Sequence, residues 1–180
     1  VIQLAAIASV LVIYWKKFLD FKKLDFYYKL IIAVIPALLF GALLKKHIDA
    51  ALGNLYVIAT VMFVGGIILL FIDRLFSKNN NSEEASLKQS FIIGCFQVLS
   101  ILFPGLSRSA ATIVGGMTQG LTKKAAAEFS FFLAVPTMLA ATGYKLYKHV
   151  KLHGMFTHDE IKLLAVGNIV AFVVALFAIK

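Results

Sequence analysis

Long apolar runs separated by short polar connectors make up most of this chain. The runs cover residues 1–15, 30–44, 50–72, 125–144 and 163–179. A membrane-spanning helix needs about 20 predominantly apolar residues. The second run is short by this standard, and Tyr27 and Tyr28 can extend it. The pattern therefore predicts an all-α polytopic membrane protein, a helical bundle whose clearest loops are 73–89 and 145–162.

A further apolar segment, residues 90–121, is interrupted near its middle. Pro104-Gly105 stops the incoming helix, and Ser107-Arg108-Ser109 follows directly. Each half is too short to cross a bilayer alone. Irregular backbone at membrane depth is tolerated where it is buried in protein or lines a wet cavity. We therefore predict a broken, re-entrant helix pair here and not one straight helix.

Composition supports a membrane location. Hydrophobic residues make up 61% of the chain and charged residues 15%, whereas soluble domains have about 25% charged residues. The net charge of +9 comes mainly from lysines at the ends of apolar runs, where they meet lipid headgroups, so we expect no nucleic-acid partner. The single cysteine, Cys95, excludes an internal disulfide and a cysteine-based metal site.

The distribution of basic residues also bears on orientation. If residues 90–121 re-enter on one side, connectors 16–29, 73–89 and 123–124 share that side and carry most of the Lys and Arg. Basic residues are enriched in cytoplasmic loops, so this side is predicted to be cytoplasmic.

Arg108 is the strongest chemical signal in the chain, because it lies inside an apolar segment. A guanidinium at the centre of a membrane helix costs about 2.5 kcal/mol or more, so it usually faces a cavity and binds an anion. Ser107 or Ser109 can cap the next helix, whose N-terminal N–H groups also attract anions. Thr112 lies four residues on, on the same helix face. These groups predict a phosphate-binding site, and the alternative is a capped helix with Arg108 tied to a carboxylate or carbonyls.

Two other polar residues lie inside apolar segments near this site. Glu128 is predicted to lie close enough to Arg108 to pair with it, directly or through a serine or water. Glu128 could orient Arg108 or handle protons, or it could be a structural charge near Lys124. Gln97 could reach the same cavity or hydrogen-bond a neighbouring helix. Gly115-x-x-x-x-Gly120 has the glycine spacing of a P-loop, but Leu121-Thr122 follows and no soluble strand precedes it, so it is not one. Gly116-x-x-x-Gly120 favours close helix packing.

At these residues the chain resembles the bacitracin-resistance type of undecaprenyl-diphosphate phosphatase. The family signature Pro-Gly-x-Ser-Arg-Ser-Gly-Ala-Thr is matched by residues 104–112, with Ala110 in place of the usual glycine. Further similarity covers residues 1–4, 35–37, 93–97, 115–117 and 128–136. The family's Glu-rich first signature is absent from this sequence. We expect it upstream of Val1, and we expect these 180 residues alone not to turn over substrate.

The resemblance implies a fold, a reaction and a set of site residues. It implies an inverted repeat with re-entrant helix pairs, and we expect residues 1–180 to form one transmembrane helical domain, incomplete at both ends. The implied reaction is hydrolysis of undecaprenyl diphosphate, a polyprenyl diphosphate lipid, to the monophosphate in the bacterial inner membrane, which recycles the cell-wall lipid carrier. The implied site residues are catalytic Arg108, Ser107 and Ser109, substrate-binding Gly105, Thr112 and Gln97, and supporting Glu128.

The sequence is compatible with more than one mechanism and function. The attacking group is a serine hydroxyl or water, and the resemblance implies a divalent cation, Mg²⁺ or Ca²⁺, whose ligands are not identified in this sequence. A homo-oligomer is among the possible states. A transporter or flippase that binds phosphate without cleaving it is the alternative function. A structural membrane protein in which Arg108 is merely neutralised is a third.

Overall fold

The computed structural model describes residues 2–18, 24–44, 48, 51–76 and 82–179. Nearly all of these residues are helical, which confirms the predicted all-α class. The helices with described bounds are α1 (Ile2–Ile13), α2 (Trp15–Phe18), α3 (Leu24–Leu43), α4 (Leu55–Phe76), α5 (Leu87–Leu102), α6 (Arg108–Thr118), α7 (Lys123–His153) and α8 (His158–Ile179).

Four helices of the described part are long and apolar enough to cross a membrane. They are α3, α4 over Leu55–Ile72, α7 over Lys123–Leu152, and α8. The predicted polytopic membrane protein is thereby confirmed. Helix α1 has 12 residues and α5 has 16, so both are shorter than the ~20 residues of an ordinary span.

Several predicted connectors are shorter than the sequence indicated. Residues 73–76 belong to α4, α5 begins at Leu87, and of the predicted connector 145–162 only residues 154–157 are non-helical. Lysine is a good helix former, so helices continue past the membrane boundary into charged sequence. Helix α8 starts early because Thr157 and Glu160 form reciprocal hydrogen bonds between side chain and backbone. Residues 19–23, 45–47, 49 and 77–81 of the predicted connectors, and residue 50 of a predicted apolar run, lie outside the described residues.

The chain forms two compact units. The first contains Val1–Lys23 and Ala134–Lys180, and in it α1 packs along α8. A Cβ added at Gly167 of α8 would lie 3.0 Å from the Ile2 side chain, so these helices approach closely. The single-domain organisation and the inverted repeat stay predictions.

The second unit, Leu24–Leu133, contains the broken segment. Helix α3 packs against α5 so closely that a Cβ on Gly94 would lie 2.9 Å from the Cα atom of Ala33. The rings of Phe26 and Phe132 meet edge to face, with centroids 5.3 Å apart. Ile93 and Leu133 are fully buried in the core of this unit.

Helices α5 and α6 form a hairpin, called here the broken hairpin, with residues 103–107 at its tip. At its base, the Ser82 N–H donates to the Gly120 carbonyl at 3.2 Å, and the Thr122 N–H donates to the Ser82 carbonyl at 3.0 Å. The Gln89 side chain donates to the Gln119 carbonyl at 2.8 Å. The start of the hairpin and its end therefore lie next to each other. The prediction that residues 90–121 do not form one straight helix is confirmed.

Candidate functional site

The tip of the broken hairpin is shaped by Gly105. Helix α5 ends as the Phe103 N–H donates to the Leu99 carbonyl, and Pro104 is buried. Gly105 has φ = 103°, a conformation that L side chains rarely adopt. A Cβ at this position would also lie 2.6 Å from the Ile58 carbonyl oxygen of α4. Gly105 therefore allows both the turn and the close approach of the tip to α4.

Ser107 caps helix α6. Its backbone is extended, and its hydroxyl accepts from the Ala110 N–H at 3.4 Å. The hydroxyl oxygens of Ser107 and Ser109 lie 3.1 Å apart, and Ser107 is exposed. Of the two serines that the sequence left open, Ser107 is thus the cap. The positive end of the α6 dipole and two adjacent hydroxyls meet at the tip.

Arg108 is the first residue of α6 and is partly buried. Its Nε and Nη1 atoms are both buried and have no hydrogen-bond partner. Leaving a charged donor buried without an acceptor costs a few kcal/mol, so these nitrogens need an acceptor, which a ligand, an ion or a water molecule can supply. Each of these two nitrogens can form, together with Nη2, a planar fork that matches two oxygens of a phosphate.

Glu128 does not accept a hydrogen bond from Nε or Nη1 of Arg108. Glu128 lies on α7 in the same unit and is partly buried, and it has interactions of its own. The predicted pairing through Nη2 or through a bridging group stays a prediction. The alternative in which a carboxylate or carbonyl group saturates the guanidinium does not hold for these two nitrogens.

Thr112 is fully buried between α6 and α7. Its Oγ1 atom lies 3.0 Å from the Arg108 carbonyl oxygen and 3.1 Å from that of Ser109. It also lies 2.7 Å from Oγ of Ser130 on α7. Thr112 thus joins two helices behind the tip, and its predicted contact with substrate stays a prediction.

Gln97 is also buried, on α5, with 1% of its surface exposed. Its predicted role in substrate binding stays a prediction.

Ser130 was missed by the sequence reasoning. The sequence signal for Ser130 is a hydroxyl inside the apolar run 125–144, because a serine in a membrane helix commonly hydrogen-bonds to a neighbouring helix.

The groups at the tip suit an anion and not a cation. Within the described ranges, no group of three or more His, Cys, Asp and Glu residues could hold a metal ion. The guanidinium of Arg108 and the α6 N-terminus present donors. The described residues therefore do not fit the implied divalent cation by themselves.

Fold and site together define a class of protein. It is a polytopic helical membrane protein with a buried guanidinium, two serine hydroxyls and a helix N-terminus at the tip of a broken helical hairpin. The chain belongs to the family described as bacitracin resistance protein BacA, which it matches over residues 1–180. The resemblance seen at residues 104–112 is confirmed.

Its relatives are named undecaprenyl-diphosphatase. The chain is 54% identical to the protein of Flavobacterium psychrophilum over 180 residues, which is 100% of this chain and 67% of the relative. It is 49% identical to the protein of Porphyromonas gingivalis over 196 aligned residues, which cover 99% of this chain and 70% of the relative. It is 42% identical to the protein of Clostridium tetani over 192 aligned residues, which cover 100% of this chain and 69% of the relative. The chain thus spans about two thirds of the length of these relatives.

Proposed function

We propose that this protein hydrolyses undecaprenyl diphosphate to undecaprenyl phosphate and inorganic phosphate. The activity recycles the lipid carrier of cell-wall synthesis and confers bacitracin resistance. The observation that carries the proposal is the buried, unpartnered pair of nitrogens on Arg108 at the tip of the broken hairpin. Relatives up to 54% identical that are named undecaprenyl-diphosphatase support it.

Arg108 acts by binding the diphosphate and neutralising its charge. Phosphoryl transfer places charge on the oxygens of the transferred group, and catalysis depends on donors fixed where that charge develops. Nε and Nη1 of Arg108, with the α6 N-terminus, supply such donors. The hydroxyls of Ser107 and Ser109, 3.1 Å apart, add donors that can rotate toward the phosphate oxygens.

The reaction breaks the bond between the terminal phosphorus and the bridging oxygen of the diphosphate. The oxygen of water ends on inorganic phosphate, and the bridging oxygen leaves with the lipid monophosphate. A divalent cation, Mg²⁺ or Ca²⁺, remains a proposal that rests on the family resemblance. No step is assigned to it, because the described residues offer no cluster that fits it.

The membrane is proposed to be the bacterial inner membrane. Large apolar side chains on α4 and α8 are exposed, which supports a location where lipid or a second copy of the chain covers them. The alternative function, transport of a phosphate-bearing lipid without cleavage, is not favoured by the names of the relatives.

The test is phosphate release from a polyprenyl diphosphate by the purified full-length protein with a divalent cation present. We expect Arg108→Ala to lower kcat/KM by about 100-fold or more, because a charge-assisted contact made in the transition state is lost. The matched control is Lys88→Ala, which removes an exposed cation at the start of α5 and should leave the rate unchanged.

Two outcomes would contradict the proposal. Binding of the lipid without any phosphate release by the unaltered protein would favour the transporter. Equal rates for Arg108→Ala and Lys88→Ala would place the chemistry at another site.

A further inference from the structure

A buried polar contact links Ser130 of α7 to Thr112, which lies one turn after the start of α6. Ser130 and Thr112 are both buried, with exposed fractions of 1% and 0%. Their hydroxyl oxygens lie 2.7 Å apart. Thr112 Oγ1 also contacts the carbonyl oxygen of Arg108 at 3.0 Å. The contact therefore ends on the backbone of Arg108, whose Nε and Nη1 atoms have no hydrogen-bond partner.

Counting protons limits how these hydrogen bonds can be directed. Each hydroxyl has one proton, and a carbonyl oxygen can only accept. A helical threonine commonly donates to the carbonyl one turn earlier. If Thr112 donates to Arg108 or Ser109, the proton between the two hydroxyls comes from Ser130. Ser130 is then the donor that fixes the rotamer of Thr112.

Another contact between α6 and α7 is one turn away and involves small residues. A Cβ on Gly116 would lie 2.8 Å from the Cβ atom of Ala126, so the helices nearly touch there. Small residues bring helices close but provide few side-chain contacts that resist sliding. The hydrogen bond between Ser130 and Thr112 is directional, and it lies at the end of α6 that carries Arg108.

We infer that Ser130 is a positioning residue for Arg108. Acting through Thr112, it holds the first turn of α6 against α7 and so sets the direction of the guanidinium toward the diphosphate. Ser130 itself does not touch the substrate. This inference rests on the proposed function, since it assigns a part in that reaction.

The first test is the kinetics of Ser130→Ala in the full-length protein, measured as phosphate release from a polyprenyl diphosphate. We expect kcat to fall by about tenfold to 100-fold while KM changes less than about threefold, because small misplacement costs more in the transition state than in the ground state. Ser130→Thr retains the hydroxyl and is expected to recover most of kcat.

The matched control is Ser90→Ala. Ser90 is also fully buried in the same unit, but its hydroxyl donates to the Ser86 carbonyl of its own helix at 2.8 Å, near the base of the hairpin. Ser90→Ala should keep kcat within about threefold of the unaltered protein. Equal losses in Ser90→Ala and Ser130→Ala would mean a general packing role and would overturn the inference.

A double-mutant cycle tests the route through Thr112. Thr112→Val removes the same link, so adding Ser130→Ala to it should change kcat by less than about threefold. Additive losses would show that Ser130 acts by another route. If Ser130→Ala does not yield folded protein, Ser130→Cys carries the same test with a similar volume and a weaker donor.

A second readout separates this inference from the proposed function. Inorganic pyrophosphate should raise the unfolding temperature of the unaltered protein, and this shift should be smaller in Ser130→Ala than in Ser90→Ala. The proposed hydrolysis fails if the unaltered protein releases no phosphate, while a selective loss of the pyrophosphate shift would still support positioning. Equal shifts in both variants, or an unchanged kcat in Ser130→Ala, would refute the role of Ser130.

Discussion

Arg108 keeps two buried nitrogens without acceptors while its main chain is held in the cap and first turn of α6. The guanidinium is planar and presents donors in a fixed geometry, whereas a lysine ammonium is a point charge on a flexible stem. The shape of the cation at this position should therefore matter as much as its charge.

Arg108→Lys in the full-length protein is expected to lose most of the activity, by about 100-fold in kcat/KM, because an ammonium cannot bind two phosphate oxygens in one plane. Phosphate release measures this directly. Lys88→Arg, the reverse exchange at an exposed position, should be neutral. A near-normal rate in Arg108→Lys would show that charge alone suffices.

Gly105 offers a second test at the same scale. Gly105→Ala should destabilise the protein and lower activity, because φ is 103° and the new Cβ would meet Ile58 of α4. Gly120→Ala is the matched control, since Gly120 has φ = 87° but open space around it. Strain at positive φ alone costs about 1–2 kcal/mol. Thermal unfolding should show a larger loss for Gly105→Ala, and equal losses would contradict the close approach to α4.

At the scale of elements, the two arms of the broken hairpin are held together by a glycine contact. A Cβ at Gly115 of α6 would lie 2.7 Å from the ring of Phe96 on α5. Overpacking a filled interface typically costs about 1–3 kcal/mol. The arms can approach this closely only because α6 has no side chain at that point.

Gly115→Ala is therefore expected to lower the unfolding temperature, whereas Gly66→Ala should leave it unchanged or raise it. A Cβ added at Gly66 of α4 would meet no atom within 4 Å, so alanine there mainly restricts the unfolded chain. Opposite signs in thermal unfolding would support the packing of α5 on α6. A stabilising Gly115→Ala would contradict it.

The sequence predicted the elements of the hairpin well because their signals are local. The break at Pro104-Gly105, a serine cap and the buried guanidinium all follow from neighbouring residues. The sequence predicted that α4 and α7 end earlier along the chain than they do in the structure, because charged residues remain helical beyond the apolar run. Non-local features were harder. Gly116 packs closely, as predicted, but Gly120 instead ends the turn at positive φ, and the contact of Ser130 depends on tertiary packing.

At the scale of the whole molecule, the hairpin bears on how often the chain crosses the bilayer. Its base is closed by the Ser82–Thr122 hydrogen bond, so we expect residues before α5 and after α6 to lie on the same side of the bilayer. Helix α7 then has 31 residues, enough to reach the other side. The topology is therefore testable by labelling.

In a Cys95→Ser background, Glu84→Cys and Lys124→Cys should react with a membrane-impermeant thiol reagent from the same side. Thr157→Cys, in the turn after α7, should react from the opposite side. All three positions are exposed. Labelling of Glu84→Cys and Lys124→Cys from opposite sides would mean that α5 and α6 cross the bilayer together.

The short arms of the hairpin also bear on how the protein is made. At 1.5 Å per residue, α5 is about 24 Å long and α6 about 16 Å, against a hydrocarbon core of about 30 Å. A translocon that inserts segments one at a time is therefore expected to insert neither arm efficiently by itself. Arg108 makes insertion of α6 still less favourable. Helices α3 and α4 are synthesised first and supply the surfaces on which Gly94 and Gly105 rest. The tip that carries Arg108 is thus expected to enter the membrane late, after α3 and α4 have been inserted.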